Sequence, residues 1–326
     1  MRCFITGAAG FIGRHVVAAL LRQGHEVSAL VRQENHGLPS AAATIKADLF
    51  ADEAMRSAMQ GCDIALHLAA LITFDPRQRH ELMRVNFQGT ISFLEAAARS
   101  GVRRAVIVSS ACTLGISSRP EEIRDERMCA SAAEEARNPY LASKIAAERA
   151  ASAYQERLEV VIVNPTTVYG PGDRTLNSGT LFLRLARSRV VPLPPGGSNV
   201  IDVEDAAAGI VAAALRGRSG ERYVLGGENL PFAEIFRVIA NAMGRSPLWL
   251  PLPLVLRLPA AWAAELLCLA HRDRLFTPQI IADLFAFKYY TSAKAERELG
   301  WSRRYSFAAS ARRALDYYRS EGLLQI

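Results

Sequence analysis

MRCFITGAAGFIGRH, residues 1–15, opens with a short apolar run at 3–5 whose composition predicts a buried strand. The run breaks at Thr6 and meets Gly7, Gly10 and Gly13. Beyond them Val16, Val17, Leu20 and Leu21 follow the spacing of one helix face. Glycines three apart between a strand and a helix have a mechanical reading. Gly7 permits the tight turn, Gly10 lets backbone approach a pyrophosphate, and Gly13 lets helix and strand pack closely. The start of the helix then offers free N–H groups and partial positive charge to phosphate. The stretch therefore predicts dinucleotide binding.

The 326 residues are enough for a large core and suggest one compact unit of two lobes. Half of them are hydrophobic and 22% are charged, which predicts a soluble globular protein and argues against disorder. The chain starts in a strand with no basic-then-apolar leader, so a cytoplasmic location is expected. Its five cysteines form no CxxC or zinc spacing, so reduced thiols and no metal site are expected. The net charge of +7 comes from scattered arginines without a basic run or interleaved aromatics. That pattern argues against nucleic acid. A phosphate-bearing cofactor or small-molecule substrate, or a simple arginine-rich background, accounts for it equally well.

Working outward, residues 26–31 predict a second strand that ends in Arg32. Domains that prefer NAD place an acid near this point, on the ribose 2′-hydroxyl. Arginine instead suits a 2′-phosphate and so NADP, with NAD as the alternative if Arg32 is only a solvated loop residue. A third strand at 44–47 closes with Asp48, a helix covers 52–60, and a fourth strand at 63–68 runs into Ala69 and Ala70. Small residues there let a cofactor lie across the strand ends. His67, in an apolar strand, reads as a packed core histidine. Another strand at 104–108 delivers Ser109 and Ser110 to the same rim. Strands alternating with helices imply an α/β fold built on a doubly wound parallel sheet.

After Pro165 the character changes. Residues 171–197 are Pro/Gly-rich around a short helix at 180–188, as suits a loop region covering substrate. Residues 199–215 return to the core as a strand and an Ala-rich helix, and a last strand is expected at 222–225. This places a dinucleotide-binding domain at 1–170 with a return segment at 198–226. A smaller, mostly helical substrate lobe takes 171–197 and 227–326. The stretch 247–270 is strongly apolar, but its longest uncharged run, 246–256, is far short of the ~20 residues that span a bilayer. No stable membrane span is expected. Core packing, an apolar substrate wall and a membrane-surface lid all remain open for it.

TGAAGFIG at 6–13, DL at 48–49, HLAA at 67–70, VNFQGT at 85–90, VIVSSACTLG at 106–115, YLASK at 140–144 and NPTTVYGPGD at 164–173 occur in one order. The YxxxK spacing alone arises easily by chance; the ordered set does not. Over essentially its whole length the chain resembles the extended short-chain dehydrogenases/reductases, also called NAD-dependent epimerase/dehydratase-like proteins, which have a Rossmann fold. ALVR at 29–32, TLG at 113–115 and GERYVLGGEN at 220–229 make it similar to the dihydroflavonol-reductase-like branch, including the hopanoid-associated sugar epimerases. The resemblance implies catalytic roles for Ser110, Tyr140, Lys144 and Asn86. Cofactor contacts would come from Gly7, Gly10, Phe11, Ile12, Gly13, Asp48, Leu49, Leu68, Ala69 and Ala70, and from Tyr140, Lys144, Pro165 and Val168. Asn164 would lie on the substrate side, and a homodimer would form through the helices holding 87–98 and 140–154. Helix capping by Asn86 and a loop tie by Asn164 are the structural alternatives.

Tyr140 and Lys144 lie four apart, on one face of a predicted helix. A tyrosine of ordinary pKa near 10 is neutral at pH 7. The neighbouring ammonium and a nicotinamide ring are expected to favour its phenolate. Tyr140 then exchanges a proton with a carbonyl or alcohol oxygen that Ser110 holds. After HLAA, sugar-nucleotide epimerases carry a polar loop. Here Leu71, Ile72 and Phe74 are apolar, which makes Leu71 and Phe74 candidate substrate contacts. ACTLG replaces the tyrosine-containing ATVYG, and no acidic pair of the dehydratase kind adjoins Ser110. The expected function is an NADP(H)-dependent oxidoreductase acting on the carbonyl or secondary alcohol of a largely apolar substrate. A sugar-nucleotide epimerase with tightly bound NAD(P) is the alternative. A cofactor-binding regulator without catalysis is disfavoured by the intact Ser110, Tyr140 and Lys144.

Overall fold

The computed structural model describes residues 1–34, 37–73, 75–253, 255 and 282–324. Strand β1 (Arg2–Thr6) runs into helix α1 (Phe11–Arg22) through the glycine turn. Next come β2 (Glu26–Val31), β3 (Ala43–Lys46), α2 (Asp52–Met59) and β4 (Ile64–His67). The following helix has three pieces, α3 (Arg79–Leu82), a π-helical turn at Met83–Gln88 and α4 (Gly89–Arg99). Then β5 (Arg104–Val108), α5 (Ala132–Arg137), α6 (Pro139–Ala153) and β6 (Glu159–Pro165) complete the first half.

Beyond Pro165 the chain forms β7 (Thr167–Tyr169), α7 (Thr180–Arg187), β8 (Val190–Leu193), β9 (Gly197–Asp202), α8 (Val203–Arg216) and β10 (Arg222–Leu225). The last described elements are β11 (Glu228–Pro231), α9 (Phe232–Ala242), β12 (Leu248–Pro251), β13 (Phe287–Lys288), α10 (Ala293–Leu299) and α11 (Phe307–Ser320).

The main sheet has seven strands in the order β10-β6-β5-β4-β1-β2-β3, and all neighbours are parallel. Apart from the exposed edge strand β3, its strands are mostly buried and apolar because helices cover both faces. On one face α1 and α8 pack Val16, Val17, Leu20, Ile210 and Val211 over the sheet; on the other α2 and α4 bring Met55, Met59, Phe93 and Leu94. The strand order reverses between β1 and β4, and that reversal opens a crevice at the carboxyl ends of the strands.

The strand at the start of the return segment brings Ile201 into the core of this sheet without pairing in the sheet itself. β9 pairs with β7, β11 and β13 in a second, four-stranded sheet, and only α8 and β10 belong with the first. Phe182, Leu185, Ile235, Ile239, Leu315 and Tyr318 form the core beside it. Among the described residues no helix is long and apolar enough to cross a membrane.

Asp205, fully buried on α8, fastens the segment before α11. Its carboxylate accepts the Arg304 and Tyr305 backbone N–H groups, both at 2.9 Å, and Arg304 Nε at 3.2 Å. Asp205→Ala leaves those two N–H groups without their acceptor and should cost about 2–3 kcal/mol. Arg304→Ala, at a side chain 58% exposed, should cost less than about 1 kcal/mol. Urea denaturation of the two variants checks the order; equal losses would contradict this account of the clamp.

Candidate active site

The crevice is built around the first turn. Gly7 has φ +68°, and a Cβ there would stand 2.5 Å from the Leu68 carbonyl carbon and the Ala69 nitrogen. Only glycine satisfies both the backbone angle and the close approach. Gly10, the N-cap of α1, has no side-chain cap, and no acid sits in the first turn. The helix N-terminus, starting at Phe11 and Ile12, therefore keeps its positive end. Gly13 is buried, and a Cβ there would collide with the Gly7 carbonyl oxygen. These positions leave a cradle that fits a pyrophosphate. Arg32 follows β2, exposed and with no ion pair among the described residues. Exposed Asp48 accepts the Phe50 N–H at 3.0 Å, and Leu49 packs on Gly89. Leu68 and Ala69 are half-buried and Ala70 exposed along the rim of β4.

Asn86 lies in the π-helical turn, a local distortion frequent at functional sites. Its Nδ2 donates to the Leu71 carbonyl at 3.0 Å and to Ser143 Oγ at 2.9 Å, while its Oδ1 accepts the Leu71 N–H at 2.7 Å. The side chain thus ties the segment after β4 to α6. Leu71 is half-buried, with its backbone engaged in that tie. His67 is a core histidine, as expected: it stacks on Phe93, bonds Thr6 Oγ1 at 2.7 Å, and burial pushes its pKa down to about 3.

Ser110 leaves β5 as the cap of a short turn, accepting the Cys112 N–H at 3.3 Å. Tyr140 and Lys144 project from α6, which is capped by Asn138 and starts at Pro139. Burial pushes the Tyr140 hydroxyl above the ordinary tyrosine range. Cys112 adds to the shift, and the hydrogen bond between the Ser110 and Tyr140 hydroxyls opposes it. The phenolate expected from the neighbouring ammonium is therefore not favoured in this structure. Lys144 Nζ instead donates to the Val108 carbonyl at 3.0 Å, and burial lowers its pKa from 10.5 to about 8.

Asn164 is fully buried and faces inward. Its Nδ2 donates to the Ser110 carbonyl at 3.1 Å, Thr113 Oγ1 at 3.1 Å and Glu148 Oε1 at 2.7 Å. Here Asn164 ties β6 to the Ser110 turn and makes no wall of the cavity described next. Glu148 in turn pairs with Arg222 Nη1 at 3.3 Å, so β10 braces the same turn from behind.

Ser110 and Tyr140 open into a cavity of about 170 Å³ that Pro165, Leu141, Cys112 and Tyr290 also line. An ion pair between Lys288 Nζ and Asp283 Oδ2, 2.5 Å apart, forms a polar wall. Val168, half-buried on β7, packs against the main core. Leu71 is not among the cavity walls, and Phe74 lies outside the described residues. Of the apolar stretch 247–270, residues 254 and 256–270 lie outside them too, whereas Trp249 packs on the second core. Cys112, Asp283, Lys288 and Tyr290 were not singled out by the sequence. Cys112 stood inside the serine motif and was within reach of such a reading. The others come from more than a hundred residues away and carry no local signal.

Comparison with known proteins agrees with this fold. The model of the NAD dependent epimerase/dehydratase family matches residues 3–226. A "putative dihydroflavonol 4-reductase" of Synechocystis sp. is 33% identical over 91% of this chain and 89% of its own length. "Sterol demethylase protein B" of Methylococcus capsulatus is 29% identical over 99% of this chain and 100% of its own. The solved structure of gox2253, 28% identical, superposes with a TM-score of 0.85 over 99% of both chains. The glycine cradle, the doubly wound sheet and these likenesses together place the chain in the NAD-dependent epimerase/dehydratase family of extended short-chain dehydrogenases/reductases.

Proposed function

We propose that the protein is an NADP(H)-dependent oxidoreductase that reduces a ketone or aldehyde, or oxidises a secondary alcohol, on a largely apolar substrate. One observation carries the reading: the Ser110 and Tyr140 hydroxyls bond to each other and both face one cavity, with Lys144 buried a turn further along α6. A carbonyl oxygen taking the place of that mutual bond accepts from both hydroxyls. Burial keeps Tyr140 protonated, so it is loaded to donate its hydroxyl proton to that oxygen. Ser110 holds the oxygen as charge develops, with its turn braced by Asn164 and Glu148.

The bound nicotinamide supplies the hydride. Gly7, Gly10 and Gly13 would hold its pyrophosphate, Arg32 the 2′-phosphate, Lys144 the nicotinamide ribose, and Pro165 and Val168 the ring. Lys144 would also lower the cost of the phenolate left after proton transfer. A shift of about 3 pKa units amounts to about 4 kcal/mol. The reductase and demethylase names of the relatives favour a substrate with an apolar body. The Asp283–Lys288 pair on the cavity wall favours a second reading, a sugar-nucleotide epimerase that returns the hydride to the same molecule.

A panel of carbonyl compounds with NADPH, followed by nicotinamide absorbance, should show cofactor oxidised in proportion to product. Tyr140→Phe should lower turnover at least ~10²-fold while retaining cofactor binding, and Lys144→Met should weaken both. Inversion of a nucleotide sugar without net change in cofactor absorbance would decide for the epimerase.

Arg32 sets the second prediction. NADPH should bind roughly ten- to a hundredfold more tightly than NADH, and Arg32→Asp should reverse that order. Calorimetric titration of both cofactors is the measurement, and equal affinities in the native protein would refute the assignment.

The third follows from linkage at Lys144. Its folded pKa of about 8 lies below the ordinary 10.5, so between these values the unfolded chain binds more protons. The destabilisation from burying the ammonium is full below about pH 8 and fades as pH rises toward 10.5. Wild-type stability should therefore rise relative to Lys144→Met across that window in urea titrations. A gap independent of pH would show that Lys144 keeps its ordinary titration.

A further inference from the structure

Among the described residues, nothing covers one face of the two-stranded sheet of β8 and β12. Its strands run parallel, with Val190 opposite Leu248 and Pro192 opposite Leu250. Val191 and Leu193 turn inward and are buried, so the alternation of a strand sends Val190 and Pro192 outward. Leu248 and Leu250 share their face and are 69% and 52% exposed; Val190 is 50% exposed, and Val255 just beyond is 80% exposed.

The border of this face is cationic. Arg187 and Arg189 precede β8, exposed and without an ion pair among the described residues. Arg245 joins them, its Nη2 donating to the Ser188 carbonyl at 3.3 Å. No Asp or Glu occurs between residues 174 and 201 or between 235 and 255, in a chain whose other arginines are widely paired with acids.

We propose that this face docks on the surface of an anionic lipid bilayer. Aliphatic side chains at the tip suit the boundary between headgroups and acyl chains, while flanking arginines meet lipid phosphates. The patch spans two strands of four residues, roughly 130 Å². A stable dimer buries about 800 Å² on each partner, so a second copy is poorly served by it. The docking is peripheral and independent of the chemistry proposed for the crevice.

The test is sedimentation of the full-length protein with vesicles of phosphatidylcholine, with or without about 30% phosphatidylglycerol. The protein should pellet with the anionic vesicles, stay soluble with the neutral ones, and be released by about 0.5 M salt. Arg187→Gln with Arg189→Gln should weaken binding about 25-fold, near fivefold for each arginine. Leu248→Ser with Leu250→Ser should weaken it about tenfold or more. Unchanged thermal melting of both double variants shows that the fold is intact. Failure of the native protein to pellet with anionic vesicles overturns the proposal, as does pelleting that neither double variant reduces. A dimer in light scattering that Leu248→Ser with Leu250→Ser splits would assign the face to a second copy instead.

Discussion

The close approach of the β1–α1 turn to the end of β4 is the constraint on which the crevice depends. Gly7 lies so near the backbone at Leu68 and Ala69 that any side chain would push the strand ends apart, and Gly13 lets α1 settle on the same turn. The strand order reverses at this point, so the turn and the rim of β4 face one opening. The positive end of α1, with neither a side-chain cap nor an acid in its first turn, is left for an anion.

Behind the opening, buried polar groups hold the Ser110 turn and the helix of Tyr140 and Lys144 in place. Asn86 joins the segment after β4 to Ser143 on α6, one residue before Lys144. Asn164, Thr113, Glu148 and Arg222 form a chain of hydrogen bonds and one ion pair beneath the Ser110 turn. Polar groups removed from water are costly unless satisfied, so such a chain has few alternative arrangements and resists small displacements. The result is a serine turn and a tyrosine helix whose hydroxyls meet at one cavity wall.

The same burial acts in opposite directions on two neighbours. It disfavours the phenolate of Tyr140 and the ammonium of Lys144, raising one pKa and lowering the other. Reading the pair from spacing alone considers only attraction between charges. In the folded protein desolvation is the larger effect on both groups, and the Lys144 proton is shared with a backbone carbonyl.

The sequence by itself determined whatever is encoded by chain neighbours. Strand, glycine turn and helix at 1–22 are consecutive, Tyr140 and Lys144 are one helical turn apart, and apolar runs alternate with helical patterns. The doubly wound sheet was legible for that reason, as were a strand at 26–31 and another at 104–108. Three matters were decided only by tertiary structure. The strand at 197–202 joined a second sheet, because pairing partners are chosen among distant segments. Asp283, Lys288 and Tyr290 reached the cavity through β13 and its pairing with β9, which no local pattern announces. Asn164 turned inward, and Tyr140 and Lys144 shifted away from their ordinary titration, because side-chain direction and dielectric surroundings arise from packing across the whole fold.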